Sequence, residues 1–439
     1  MKHRVNGNRW LFMVLEPYTA FIMRLYYRQF KVKGFEKVPT DKAVILAPNH
    51  QNAFMDAIVF LPSFGAIRQL SYLVRASIFG TKLGDAFLYR VNMMPVYRQI
   101  DGVENLGKND EIFENCVFLL ENKRVLTLFP EGTHHIKNQM LPLKKGITRI
   151  AFSAEERNNF NLDIVIIPAG IFYTRLSKYG GNVLIQFGDP IKLKDYEKDY
   201  NENPNKAHNL VKTKLSKALS DLMIDIKNSH YYDCIKLCCE MDANEKGIRE
   251  VEQEFLNSKR VIASIDNLIQ LNEDKAILLK SLSERYSEVI TKYNLRDKPF
   301  SASHKNPGIL EYVFFSLFSP VGIICWINNY PAFKTPEIIA EKKIKDPGFK
   351  SSIKSAAAML IFPVFYFIQA LVLFFILPEW WMSLIYLFSL PIAFFIGVFW
   401  RRKWLRLAYH GRFERWKKNN DIKEALEYRK EMIAILKSL

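Results

Sequence analysis

The sequence predicts an α/β protein: a mixed sheet covered by helices, then a helical subdomain and a C-terminal transmembrane hairpin. Three observations lead there. Short β-branched apolar runs recur at helix-length spacing across residues 31–190. A charged stretch poor in glycine and proline follows over 201–306. Two apolar segments, each long enough for a membrane span, lie at 353–377 and 381–400.

Taken in order, residues 1–30 read as N-terminal interfacial helices. The run from Trp10 to Met23 is apolar, but Glu16 and Pro17 interrupt it and no small-residue cleavage site follows, so it is no signal peptide. It fits a helix pair lying in the headgroup region, with Arg24, Arg28, Lys31 and Lys33 reaching the phosphates; an amphipathic helix on the core is the alternative. Residues 31–200 form the α/β domain, with strands expected at 43–47, 71–74, 94–97, 125–129, 164–168 and 183–187. Residues 201–306, helically periodic at 210–226 and 251–269, form the charged subdomain.

Residues 307–400 form the membrane region. The segment 309–327 is apolar yet contains Glu311 and Pro320. A full crossing there would put the following lysines on the wrong side, so it is expected to be interfacial or re-entrant. Basic residues flank the hairpin on both sides: Lys342, Lys343, Lys345 and Lys350 before it, and the 401–439 tail, beginning Arg401, Arg402 and Lys403, after it. By the positive-inside tendency both flanks, and the α/β domain, face the cytoplasm. With no targeting extension in view, the expected membrane is the bacterial inner one.

Charge and cysteines narrow the class. The net charge of +17 suits an anionic partner, and most of the excess flanks apolar segments, which points to anionic membrane lipids rather than nucleic acid. Five cysteines make no paired secreted framework. His230, Cys234 and Cys238, followed by Cys239, could share a helix face, but zinc-site spacing is missing and buried packing is the better reading. There is no P-loop, no dinucleotide fingerprint, no nucleophile elbow and no zinc-protease helix. No metal or redox cofactor is implied.

The chemistry starts at Asn49. A strand ends there, and His50 stands at its carboxyl end with Asp56 shortly after. Imidazole backed by a carboxylate is the base-and-orienter half of a triad, and needs no serine if the substrate supplies its own hydroxyl. A packing histidine is the competing reading of this pair alone. Further blocks follow in order: MPVYR ending at Arg98, FPEGT at 129–133, LPLKKG at 141–146, and IVIIPAG containing Pro168.

Together these blocks resemble the glycerolipid acyltransferase family, the glycerol-3-phosphate and 1-acylglycerol-3-phosphate acyltransferases, over roughly 31–190. The resemblance implies a fold like that of glycerol-3-phosphate acyltransferases. It also implies acyl transfer from an acyl-CoA or acyl-carrier-protein thioester to a glycerophosphate-type hydroxyl. It assigns His50 as general base and Asp56 as its partner. Arg98 would hold the acceptor phosphate, Glu131, Gly132 and Thr133 would line the acceptor pocket, and Lys144 would add positive charge. Arg offers phosphate a planar fork and Lys a mobile point charge, though both residues also fit a solvated face.

Two departures shape the expectation. Five residues, not the family's usual four, separate His50 from Asp56. On a regular helix positions six apart lie about 240° apart, so the dyad requires a loop or bulge. That spacing resembles the fungal-type glycerol-3-phosphate and dihydroxyacetone-phosphate enzymes, which favours the first acylation step. The second departure is His134–His135 after FPEGT, where a small or basic residue is commoner. A lysophospholipid acyltransferase and a catalytically silent lipid-binding scaffold are the rival readings.

Overall fold

Strand residues that are buried on both sheet faces read as unbroken apolar runs, and the two most central strands of the first unit do so. The computed structural model describes residues 9–65, 68–97, 107–176, 179–344, 346–419 and 422–439. They fall into two units, Met1–Asp225 and Ile226–Leu439.

The first unit holds an eight-stranded sheet. Its strands are β1 (Gln29–Lys33), β2 (Val44–Pro48), β3 (Leu70–Arg75), β4 (Met93–Val96), β5 (Val125–Thr127), β6 (Val165–Tyr173), β7 (Asn182–Phe187) and β8 (Ile191–Lys192). The order is β1-β7-β6-β2-β5-β3-β4, with β8 also on β6. From β6 to β4 every pairing is parallel, whereas β7 and β8 run antiparallel to β6, so the sheet is mixed. The parallel strands therefore open their carboxyl ends along one edge. Every residue of β2 and β6 is buried. All six expected strands are present; β6 runs on to Tyr173, past the expected end at Pro168, and that extension proves important for the site.

The unit also runs past residue 200. In the helix Pro204–Leu222, Ala207, Val211, Leu215 and Leu219 recur every fourth residue and join the sheet's apolar core. The charged stretch 201–306 is thus divided: its first helix covers the sheet, and the remainder belongs to the second unit. Among the described residues at the amino end, one helix, Arg9–Tyr26, holds both Glu16 and Pro17.

The second unit begins with the helices Tyr232–Glu245, Val251–Leu271 and Glu273–Lys292. His230 precedes the first of these and is exposed, while Cys234, Cys238 and Cys239 are buried in it. No group of three or more metal-ligating side chains occurs among the described residues. Among the described residues, three helices then follow that are long and apolar enough to cross a membrane: Ile309–Lys343, Pro347–Ile376 and Trp380–Lys418. Gly397 permits close packing of the first against the third, since a Cβ there would stand 2.8 Å from the Trp326 backbone.

The segment expected to be re-entrant is not a separate short element but the first half of that 35-residue helix. The helix bends. Glu311 in its first turn pairs with Lys403 at 2.7 Å and Arg406 at 3.1 Å. Phe333 and Trp326 both lie against the Arg401 guanidinium, at 5.4 and 4.8 Å from ring centre to carbon. A straight helix would hold residues 311 and 333 about 33 Å apart, whereas 401 and 406 are only about 8 Å apart on theirs. Pro320, Pro331 and Pro336 lie inside the helix and account for the departure from straightness. Between the two contacts with the basic end, Asn328 accepts from the Tyr386 hydroxyl at 3.0 Å, and Asn329 from Tyr366 at 2.7 Å. The helix thus reaches toward residue 386 and comes back to 401.

The tail is not an independent extension. Its helix Lys423–Lys437 packs on Glu273–Lys292. Buried Arg429 donates to Asp297 at 2.8 Å and to Glu245 at 2.9 Å. Phe413 meets Phe300 edge to face. Chain on both sides of the three apolar helices is therefore one packed body.

Candidate active site

Three parallel strands deliver the site to one edge of the sheet. Asn49 follows β2 and anchors it: its side-chain amide donates to the Ile171 carbonyl at 3.2 Å and accepts from the Ile171 amide at 2.7 Å. His50 comes next, with 16% of its side chain exposed while Asp56 is wholly buried. The chain turns sharply between them. Ala53 adopts φ 43° and ψ −123°, a region that suits glycine, and caps the short helix Phe54–Ile58 that carries Asp56. This is the turn that the six-position interval requires.

Asp56 is saturated. Its Oδ2 accepts from the amides of Gln51 and Asn52, both at 2.7 Å, and lies 2.9 Å from His50 Nδ1. Its Oδ1 accepts from the Tyr173 hydroxyl at 2.8 Å. An ionised carboxylate only accepts, so Nδ1 carries the proton and Nε2 is left as the basic nitrogen. Burial, and then the Asp56 charge, push the Tyr173 hydroxyl well above the ordinary tyrosine range, so it stays a donor. No local sequence pattern marks Tyr173; the extension of β6 beyond Pro168 brings it to Asp56.

The FPEGT block forms the floor. The Phe129 ring stacks on the His50 imidazole with centres 3.9 Å apart, and His134 meets the same imidazole edge-on at 5.7 Å. Glu131 is buried and serves as a clamp: one oxygen accepts from the His50 amide at 2.9 Å, the other from the Leu141 amide at 3.0 Å. Burial pushes its carboxyl up to about 7, against the opposing pull of those two amides, with the Asp56 charge adding to the rise. Glu131 thus braces the segments that carry His50 and Leu141.

Gly132 has φ 72°, and a Cβ there would come within 3.2 Å of Lys144 Cγ. The Lys144 amide donates to the Pro130 carbonyl at 2.7 Å while its side chain is exposed. The FPEG and LPLKKG blocks are therefore held together through their backbones. Thr133 accepts from Arg75 at 3.0 Å. Arg75 ends β3 at the same sheet edge as His50, so the strand-end logic that picked out His50 also points to this arginine. Arg98 lies outside the described residues.

The site thus combines a buried carboxylate, an oriented imidazole with one basic nitrogen, and cationic side chains at one sheet edge. The Acyltransferase family profile matches residues 29–172. Glycerol-3-phosphate O-acyltransferase 2 of Saccharomyces cerevisiae is 20% identical over 299 residues, covering 60% of this chain and 38% of that protein. Glycerol-3-phosphate O-acyltransferase 1 of the same yeast is 23% identical, covering 56% and 34%. The 1-acyl-sn-glycerol-3-phosphate acyltransferase of Bacillus subtilis is 26% identical over 122 residues, covering 28% and 55%. The chain spans between 34% and 55% of the length of these relatives. The solved 1-acyl-sn-glycerophosphate acyltransferase PlsC of Thermotoga maritima aligns with 48% of this chain and 80% of its own, at 18% identity and a TM-score of 0.33. Over residues 29–172 the chain thus matches the Acyltransferase family profile, and the relatives it is similar to are glycerol-3-phosphate and 1-acylglycerol-3-phosphate acyltransferases.

Proposed function

We propose that the protein is a membrane-bound O-acyltransferase of phospholipid biosynthesis. It transfers a fatty acyl group from an acyl-CoA or acyl-carrier-protein thioester to sn-glycerol 3-phosphate or dihydroxyacetone phosphate. The observation that carries this reading is the His50–Asp56 pair, whose geometry leaves Nε2 as the nitrogen for a substrate hydroxyl. Nε2 takes the hydroxyl proton, the oxygen attacks the thioester carbonyl, and the tetrahedral adduct collapses with loss of thiolate. The imidazolium then returns the proton to the thiolate. Base assistance of this kind is worth about 10²–10⁴-fold, and positioning of the two substrates supplies much of the rest. Asp56 holds the imidazole and stabilises its cation throughout.

Arg75, Lys144 and, from the sequence, Arg98 supply positive charge for the acceptor phosphate. The two yeast relatives and the five-residue His–Asp interval support glycerol 3-phosphate as acceptor. The Bacillus subtilis relative supports a second reading, 1-acylglycerol-3-phosphate or another lysophospholipid.

Three apolar helices support an integral membrane protein. The packed body formed by the helices before 309 and the tail after 418 requires an even number of crossings, so we assign two, by the helices Pro347–Ile376 and Trp380–Lys418, and make Ile309–Lys343 re-entrant. We place the catalytic unit on the cytoplasmic side of a bacterial inner membrane, where anionic lipids meet the basic flanks. The deciding experiment assays the purified full chain with labelled acyl donor against phosphorylated and unphosphorylated acceptors. Acylation of glycerol 3-phosphate in preference to lysophosphatidate supports the first reading. No transfer to any acceptor rejects the activity.

A further inference from the structure

The helix Lys82–Arg90 in the first unit contains no buried residue. Its amino end is well formed, Thr81 accepting from the Gly84 amide at 3.2 Å. Yet Leu83 and Phe87, one turn apart on one face, are 88% and 50% exposed, and Ile78 just before the helix is 47% exposed. Basic residues, Lys82 and Arg90, bracket the row. A second exposed row lies on the helix Arg9–Tyr26, where Trp10 and Val14 are 77% and 67% exposed. The chain segments that carry the two rows meet at one apolar crevice, where Phe12 and Leu15 of the first helix line it with Val91 and Met93, just past Arg90.

We propose that the helix Lys82–Arg90 is a membrane-inserting element, laying Leu83 and Phe87 below the headgroups with Lys82 and Arg90 at phosphate level. The occupant is a bilayer surface, and the inference rests on the reading of this chain as a membrane protein. An exposed apolar row with basic borders matches the profile of an interfacial helix. The chain also carries three helices long and apolar enough to cross a membrane. Strand β3 places Arg75 beside Thr133, and only residues 76–81 separate its end from this helix, so insertion here would hold the site mouth at the lipid surface.

Site-directed spin labelling of the full chain tests this. Single cysteines at Leu83, Phe87, Glu202 and Phe375 are labelled in vesicles of phosphatidylethanolamine and phosphatidylglycerol, with the unsubstituted protein as background. All four side chains are exposed, so the substitutions leave the core intact. Relaxation by oxygen is compared with relaxation by a water-soluble nickel chelate. Labels at 83 and 87 are expected to respond several-fold more to oxygen than to nickel, as at 375 in the apolar helix, with 202 reversed. If 375 reports lipid while 83 and 87 report water, the inserting helix is wrong and the membrane reading stands. If 375 also reports water, the membrane reading itself fails.

Discussion

Asp56 Oδ2 lies 2.9 Å from His50 Nδ1 although a regular helix would point the two side chains to different sides, and the backbone of Ala53 closes the difference. The same oxygen takes two backbone amides, so the loop that presents the base is built around its partner.

His50→Ala is expected to lower turnover by about 10²–10⁴-fold with little change in melting temperature. Asp56→Asn should lose both activity and stability, because an amide nitrogen cannot accept the bonds that Asp56 now accepts. Tyr173→Phe should give a milder fall in kcat with KM unchanged. Kinetics on folded, detergent-purified variants alongside thermal unfolding check this. A His50→Ala protein near wild-type turnover would overturn the mechanism.

Ala53→Gly should retain activity and raise the melting temperature by a few degrees at most, since the present backbone conformation costs an alanine about 1 kcal/mol or more. Deleting Ala53 would restore a four-residue interval yet remove the turn, so activity should be lost. Differential scanning calorimetry and a single-point assay are sufficient.

Arg75→Ala and Lys144→Ala should each raise the acceptor KM about tenfold or more while leaving the donor KM nearly unchanged, the scale of a charge-assisted phosphate contact of about 1.5–3 kcal/mol. Equal losses with an unphosphorylated acceptor would remove both residues from the phosphate site.

Glu131 titrates near 7 when folded, above the ordinary carboxylate range. Between about 4.5 and about 7 the folded protein then holds a proton that the unfolded chain has released, so this group makes stability fall as pH rises through that window. Melting temperature measured from pH 5 to 8 should therefore fall less steeply in Glu131→Gln than in wild type. Parallel slopes would show that the carboxyl titrates normally.

With two crossings, a cysteine at Glu379 should react with an impermeant reagent on intact cells and one at Lys417 should not. The reverse pattern would invert the orientation.

The local determinants were legible in the sequence. β-Branched runs located six strands, because a strand buried on both faces must be apolar throughout, and the ordered motifs named His50 and Asp56. The interval between these two demanded a turn, and Ala53 makes one. What the sequence left open was long-range. Tyr173 reaches Asp56 from 117 positions away, and Arg75 reaches Thr133 from 58, so no local pattern could pair them. Glu131 read as a pocket residue because its motif says nothing of burial; only the fold shows both oxygens spent on backbone amides. The bend of Ile309–Lys343 was likewise decided by tertiary contacts. Proline weakens a helix at a known place, but it took Arg401, Lys403 and Arg406 on another helix to hold Glu311 and Phe333 at one end.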